Sequence, residues 1–346
     1  MRGSCESGGL FCLSKARGVL LGLATLIIAI VHAPYEPAEG SFLLFLRFFG
    51  SGAVDIFLLL SGMGLWFSFS KNGNVLSFWK KRLLRLLPPL LPILLVCAVF
   101  TADGAVDFLM KLSLVDLWVT GDRTFWYFSL LVLLYLFFPL IFKAVKKWGV
   151  RAVLAAAVLT VGISVLLYFV FPTVFSHVEI ALLRVPVFFF GTWIGKYVAA
   201  DRRMPPTGVT VVSYLLLSAV LYFIWEMPIV GRLLNGAAGV LFALALAPFL
   251  AKRRGMLLPR ALSKLGIYSA EYYLIQEKFQ LMMMRLGKLR PDVFLPVTGE
   301  PLVFVPLSLI LTLVFAVMLH HGVEWLLGAI SGRKQRDGAS LRGEKQ

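Results

Sequence analysis

Two side chains with complementary proton chemistry lie in the first two strongly apolar stretches of the chain. His32 follows the run Val19–Val31, and Asp55 lies inside GSGAVDIFLLLSGMGLWFSFS, the stretch from Gly50 to Ser70. A carboxylate in hydrocarbon costs at least about 2.5–3.5 kcal/mol, so we expect Asp55 to have a partner. An imidazole beside a carboxylate gains basicity and a defined tautomer, as a general base requires. We predict that Asp55 orients His32, although an interfacial histidine bonded to a headgroup or a backbone carbonyl remains an alternative.

A second group of residues with a definite chemistry is the basic sequence FWKKRLLRLLPPL at 78–90. Arg82 and Arg85 are three residues apart, so on a helix they lie on the same face. Two guanidinium groups on one face can bind a phosphate in a bidentate way. The same cluster, with Lys81, is also typical of juxtamembrane side chains that contact anionic lipids. The residues alone leave both interpretations open.

The elements that must position these residues are membrane-spanning helices. Of the 346 residues, 59% are hydrophobic and 15% are charged, and the mean hydropathy is +0.86. This composition excludes a soluble globular domain and predicts an all-α, polytopic transmembrane helical bundle of about ten spans. The expected spans lie at about 17–33, 46–68, 87–101, 124–142, 151–171, 181–199, 208–226, 232–250, 262–284 and 302–329.

Clusters of basic residues between the spans set the expected orientation. The net charge is +16, and 25 of the 34 Lys and Arg residues fall on one side when the N-terminus is placed inside. The positive-inside rule then predicts that both termini are cytoplasmic, and it explains the charge without a nucleic-acid partner. We expect a cytoplasmic N-terminal segment at 1–16, a transmembrane domain at 17–330 and a cytoplasmic basic tail at 331–346. The histidine then lies near the outer face and the arginine pair at the inner face.

Five segments, in order along the chain, resemble a known family. They are GSGAVDIFLLLSG, FWKKRLLRLLPP, FWYFSLLVLLYLFFPLIF (125–142), LLRVPVFFFGTWIGK (182–196) and LSKLGIYSAEYYLIQEKF (262–279). Together they are similar to the motifs of membrane acyltransferase family 3, the polytopic O-acyltransferases that modify cell-surface glycans. The resemblance implies a multi-pass protein of the cell membrane, and the membrane expected is the bacterial plasma membrane.

The resemblance also implies roles for particular residues. His32 would be the catalytic base, supported by Asp55. Acyl-CoA, with acetyl-CoA expected, would be the donor, and its phosphates would be bound by basic side chains, namely Arg17, Lys81, Arg82 and Arg85. The acceptor would be a glycan or glycolipid, next to membrane lipid, and no metal is implied. Weaker substrate-binding candidates are Trp126, Tyr127, Arg184, Glu271 and Gln276.

Two positions depart from the family pattern. The family places a basic residue eleven positions before the histidine, where this chain has Leu21. Arg17 lies one helical turn earlier on the same face and could take its place. The late helix has Gln276 where many members have histidine, and an amide cannot carry a proton near neutral pH.

Other titratable groups receive simpler interpretations. His320 and His321 lie near the inner end of the last predicted span, beside Glu324, where interfacial packing is the expected role. His177 and Glu179 fall in a predicted outer loop, where exposure to solvent is expected. The three cysteines do not have the spacing of a metal site.

Two classes of function remain after this survey. The first is an integral-membrane acyltransferase that moves an acyl group from cytoplasmic acyl-CoA to a hydroxyl of an extracytoplasmic or lipid-linked glycan. The second is a proton-coupled transporter or flippase that uses His32 and Asp55 as a relay. An inactive member of the family is also compatible with the residues at Leu21 and Gln276. Transfer from, or hydrolysis of, acyl-CoA by the purified protein distinguishes the acyltransferase from the transporter.

Overall fold

The computed structural model describes residues 9–33, 50, 52–101, 104–200, 202–203, 205–224, 227–289 and 301–343. Helices make up nearly all of these residues, which contain no strand and one isolated antiparallel bridge, between Gly9 and Arg203. In chain order the helices are α1 (Phe11–Val31), α2 (Ala53–Asn72), α3 (Val75–Thr101), α4 (Ala105–Ser113), α5 (Asp116–Val119), α6 (Trp126–Trp148), α7 (Val150–Val170), α8 (Pro172–Leu182), α9 (Val185–Ala199), α10 (Thr207–Ile224), α11 (Val230–Arg253), α12 (Leu257–Ile267), α13 (Ser269–Leu289) and α14 (Pro301–Gly343).

The prediction of an all-α polytopic bundle is confirmed. Nine helical segments of the described chain are long and apolar enough to cross a membrane. They correspond to nine of the ten predicted spans. The remaining one, at 262–284, is wrong as a single apolar helix, because the chain forms two helices that meet at Tyr268. The second of them, α13, carries several charged and amide side chains and does not meet the same criterion.

Three predicted boundaries also change. The first helix begins at Phe11 rather than 17. The third, predicted at 87–101, is longer, because α3 begins at Val75 and continues through Pro88, Pro89 and Pro92. Proline is tolerated in such helices when neighbouring helices cover the backbone groups it leaves unbonded. The sixth predicted span, 181–199, begins earlier, because α8 and α9 together cover 172–199 with a break at Leu183 and Arg184.

Glycines bring the central helices into backbone contact. A Cβ at Gly62 of α2 would overlap the carbonyl of Phe188, and one at Gly191 of α9 would overlap the carbonyl of Leu59. A Cβ at Gly22 of α1 would overlap the carbonyl of Leu262 in α12. Small residues at such crossings are typical of helix packing in membranes, where close approach supplies much of the association energy. As a result α2 packs closely on α9 and α1, and α1 packs closely on α12. Around them, α11 and α13 pack on α1, α6 packs on α9, and α3 packs on α6 and α13.

Candidate functional site

A cavity of about 380 Å³ lies between α1, α2, α3, α6 and α13. On α1 its wall runs from Ser14 to Ile28, fourteen residues or about 21 Å of helix. On α2 it runs from Val54 to Phe67. The volume falls in the range of small-molecule sites, and the lining is mostly apolar with a few polar groups. The cavity therefore follows most of the 21-residue helix α1.

Three guanidinium groups line one end of this cavity. Arg17 and Arg82 are half-buried and Arg85 is exposed. They lie close enough to repel one another electrostatically, and the Tyr135 side chain lies beside them. The Nη2 group of Arg82 donates a hydrogen bond of 2.7 Å to Ser68 Oγ. Among the described residues no carboxylate forms an ion pair with any of the three arginines, so this end of the cavity attracts anions.

Arg17 and Leu21 line the cavity together, one turn apart on α1. Gly64 of α2 lies beside the Arg17 side chain, since a Cβ there would be in ordinary contact with it, 3.5 Å from Nη2. The Nε of Arg17 is buried and has no hydrogen-bond partner among the described residues. By contrast, Lys81 is exposed and does not line the cavity, although the sequence grouped it with the arginines.

His32 lies one turn beyond the other end of the cavity. It follows the last residue of α1 and is exposed, and its Nδ1 lies 2.8 Å from the carbonyl oxygen of Ile28, a cavity-lining residue. Because a carbonyl oxygen can only accept, Nδ1 carries the proton of this hydrogen bond. In the neutral ring Nε2 is then the unprotonated nitrogen, which is the form that a general base needs.

The predicted pairing of Asp55 with His32 is wrong in this structure. Asp55 is fully buried, and its Oδ2 lies 3.5 Å from Nε of Arg184, at the break between α8 and α9. Gly236 and Gly239 of α11 also lie beside Asp55. A Cβ added at Gly236 would lie 3.4 Å from Oδ1 of Asp55, and one added at Gly239 would lie 3.2 Å from its Cβ. The carboxylate thus faces α9 and α11 and not the end of α1.

The ion pair of Asp55 continues into a larger charged network at the same end of the bundle. Arg184 is buried, donates a 2.8 Å hydrogen bond to the carbonyl of Ile180, and packs on the ring of Trp126 with its guanidinium carbon 5.1 Å from the ring centre. Arg232 lies close to Arg184 and donates a 2.7 Å hydrogen bond to Glu179.

Glu179 also accepts a hydrogen bond of 3.2 Å from Arg123. Its side chain is only 9% exposed, so its assignment to a solvated outer loop was wrong. Arg123, Glu179 and Arg232 are the members of this network that sequence reasoning missed. The available signal was that the two arginines are among the minority of basic residues on the predicted outer side.

A histidine–carboxylate pair does occur, but it does not include His32. His320 Nδ1 lies 2.8 Å from Oε1 of the buried Glu271, joining α14 to α13, and its Nε2 lies 3.4 Å from Glu324. Neither Glu271 nor His320 lines the cavity, but Ser269, Ala270 and Tyr273 of the same turn do. Gln276 is buried and also lies outside the cavity. No group of three or more potential metal ligands occurs in the described ranges.

Comparison with known proteins gives one match. A family model described as an acyltransferase domain matches residues 19–321, which include His32, Asp55 and the arginine pair of α3. Arg17 lies two positions before the matched segment. No curated protein and no solved structure matches the chain significantly.

Proposed function

The chain belongs to membrane acyltransferase family 3, and on this premise we propose that it is an O-acetyltransferase. Acyl-CoA on the cytoplasmic side is the donor, and acetyl is the group transferred. The acceptor is a hydroxyl of an extracytoplasmic or lipid-linked glycan, and the site of action is the cell membrane. Residues 17–330 form the catalytic domain, between a cytoplasmic segment at 1–16 and a cytoplasmic tail at 331–346, an arrangement in which α13 crosses the membrane as a tenth helix beside the nine apolar segments.

The observation that carries this proposal is the cavity that begins at three guanidinium groups and ends one turn from a histidine. Coenzyme A has phosphates at one end and a long, thin pantetheine arm ending in the thioester. The arginines supply charge-assisted donors for the phosphates. The distance along α1 from Arg17 to Ile28 is about 16 Å, a span that suits an extended arm. Ser14, Ser61 and Ser269 offer polar groups along the cavity for the amides of that arm.

In the reaction, Nε2 of His32 takes the proton of the acceptor hydroxyl. The oxygen attacks the thioester carbonyl, so a C–O bond forms and the C–S bond breaks. The leaving thiolate takes the proton back from the imidazolium, and the products are an ester and free coenzyme A. A route in which the acyl group first moves to His32 gives the same products. In both routes the imidazole must touch the reacting atoms.

Asp55 has a positioning role in this proposal. Its ion pair with Arg184 ties the start of α2 to the start of α9. Trp126 packs on Arg184, and the next residue, Tyr127, lines the cavity. The charged network therefore supports the wall of the cavity nearest His32 without contacting the imidazole. Glu271 has a similar supporting role on α13, whereas Gln276 has no assigned contact with substrate.

Acyl-CoA turnover by the purified protein tests the proposal. We expect release of free thiol from acetyl-CoA in the presence of a glycan acceptor, and strongly weakened donor binding when Arg82 and Arg85 are both changed to Ala. Arg151→Ala is the matched control, because Arg151 is an exposed basic residue at the start of α7 and does not line the cavity. A transporter would release no thiol, and that outcome contradicts the proposal.

A further inference from the structure

Three aromatic side chains from three different helices meet in the cavity wall. They are Phe57 of α2, Tyr127 of α6 and Tyr273 of α13, and all three line the cavity. The ring centres of Phe57 and Tyr127 are 6.2 Å apart, and those of Tyr127 and Tyr273 are 5.4 Å apart, both in edge-to-face geometry. Tyr273 also stacks on Phe128 at 5.8 Å. We call Phe57, Tyr127 and Tyr273 the aromatic wall.

The aromatic wall lies beyond the guanidinium groups, toward the end of the cavity nearest Asp55, and the Tyr127 side chain lies within electrostatic range of both Arg17 and Asp55. On α6, Tyr127 is eight residues, or about 12 Å, from Tyr135, which lies beside the arginines. On α2, Phe57 lies one turn from Val54, where the cavity lining begins, whereas Gly64 lies beside Arg17. A donor bound by its phosphates at the arginines therefore directs its acyl end toward the wall.

The rings of the wall are held in place on several sides. The hydroxyl of Tyr127 interacts with Ser61, and that of Tyr273 interacts with the backbone of Tyr127. Tyr127 is only 7% exposed. Edge-to-face pairs are favourable beyond the area they bury, so moving one ring disturbs its partners. Packed interiors tolerate added methylene groups poorly, because neighbouring side chains must leave their preferred rotamers.

We propose that the aromatic wall restricts the transferred acyl group to short chains, an inference that rests on the function proposed above. An acetyl group adds one methyl beyond the carbonyl carbon, whereas each further methylene must displace a ring. A mismatch of one methylene in an enclosed pocket changes the specificity constant by about 10- to 200-fold. Phe57, Tyr127 and Tyr273 are therefore specificity-determining residues for the donor.

Phe57 is the member of the wall best suited to mutation. It is half-buried and has no polar atom to lose, whereas both tyrosines have hydroxyl partners. Phe57→Ala removes the phenyl ring and leaves the arginines and His32 unchanged. Phe57→Leu makes a smaller opening with less disturbance of the packing. Phe137→Ala is the matched control, because Phe137 is 48% exposed on α6 and lies outside the cavity.

The experiment compares kcat/KM for acetyl-CoA, butyryl-CoA and octanoyl-CoA in the wild type and these variants. We expect the wild type to prefer acetyl-CoA over octanoyl-CoA by at least about 10-fold. Phe57→Ala, and to a lesser degree Phe57→Leu, should reduce this ratio, while Phe137→Ala should not change it. An unchanged ratio in both Phe57 variants, with acetyl transfer retained, overturns the inference and leaves the proposed function standing.

A binding measurement on the wild-type protein gives a test that does not depend on the folding of a variant. We expect thermal stabilisation by acyl-CoA to decrease from acetyl to octanoyl at equal concentration, because binding to the folded state alone raises its stability according to affinity. Equal stabilisation by all three donors overturns the inference. Absence of transfer with every donor would instead contradict the function on which it rests.

Discussion

Replacing Arg17 by leucine removes one of the three guanidinium groups at the donor end of the cavity. Its Nε is buried without a hydrogen-bond partner among the described residues, and its charged neighbours are Arg82 and Arg85. A bound phosphate would give this group the partner that it lacks. Hydrogen bonds to charged groups contribute about 1.5–3 kcal/mol, so the affinity for acyl-CoA should fall by about 10- to 150-fold.

The stability of the free protein should respond differently to the same change. Arg17→Leu removes repulsion from two nearby guanidinium groups and the burial of a charge, so the Tm without ligand should be unchanged or higher. Titration calorimetry with coenzyme A and a thermal scan of the free protein measure the two quantities. Donor affinity equal to that of the wild type would refute the assignment of Arg17 to the donor site.

A second substitution examines the departure from the family pattern at Leu21. Leu21 lines the same cavity, one turn or about 6 Å farther along α1. Placing arginine there in the Arg17→Leu background returns a guanidinium to the cavity at the position that the family uses. We expect Leu21→Arg to recover part of the lost affinity. No recovery, with the protein folded, would show that the position of Arg17 itself matters.

Two further predictions concern the buried ion pairs. Asp55→Asn should lower the free energy of unfolding by about 3–5 kcal/mol, because Arg184 loses the carboxylate that lies 3.5 Å from its Nε. Equilibrium unfolding in detergent measures this difference. A loss of less than about 1 kcal/mol would contradict the prediction. Glu271→Gln and His320→Gln should show a coupling energy of about 0.5–3 kcal/mol in a double-mutant cycle, because their side chains are 2.8 Å apart. His321→Gln is the control, since that side chain is 61% exposed, and additive effects of the first pair would refute the coupling.

Hydropathy was sufficient to predict the class of fold, because each apolar run of spanning length must be a helix in a membrane. It failed at 262–284, because α13 carries several charged and amide side chains and packs through contacts with α1 and α14. Hydropathy alone also did not show the break at Arg184, since both α8 and α9 are apolar, but Pro186 in the first turn of α9 was a sequence signal for it.

The candidate site shows what depth along a helix can and cannot reveal. His32 and Asp55 were correctly expected near the same end of adjacent helices, because 1.5 Å of rise per residue gives depth directly. Depth says nothing about rotation around the helix axis, and Asp55 faces α11 because Gly236 and Gly239 leave room for it there. Those glycines lie about 180 residues further along the chain, so no local pattern could reveal the contact.

The charged network around Glu179 illustrates a signal that was present but assigned too little weight. Arg123, Arg184 and Arg232 all lie on the predicted outer side, where basic residues are the minority. The first and the last contact Glu179 directly, and Arg184 contacts Asp55. Basic residues that run against the positive-inside rule were therefore a guide to buried ion pairs in this protein.

The central claim is that His32 is the base for acyl transfer from the cavity, and His32→Ala tests it most directly. The measurement is the rate of acetyl transfer from acetyl-CoA, with coenzyme A binding followed in the same samples and His321→Ala as control. We predict that transfer falls by about 10²- to 10⁴-fold, as for loss of a general base. Donor affinity should stay within about twofold, because the arginines lie at the other end of the cavity. Transfer at the wild-type rate by folded His32→Ala protein would contradict the claim.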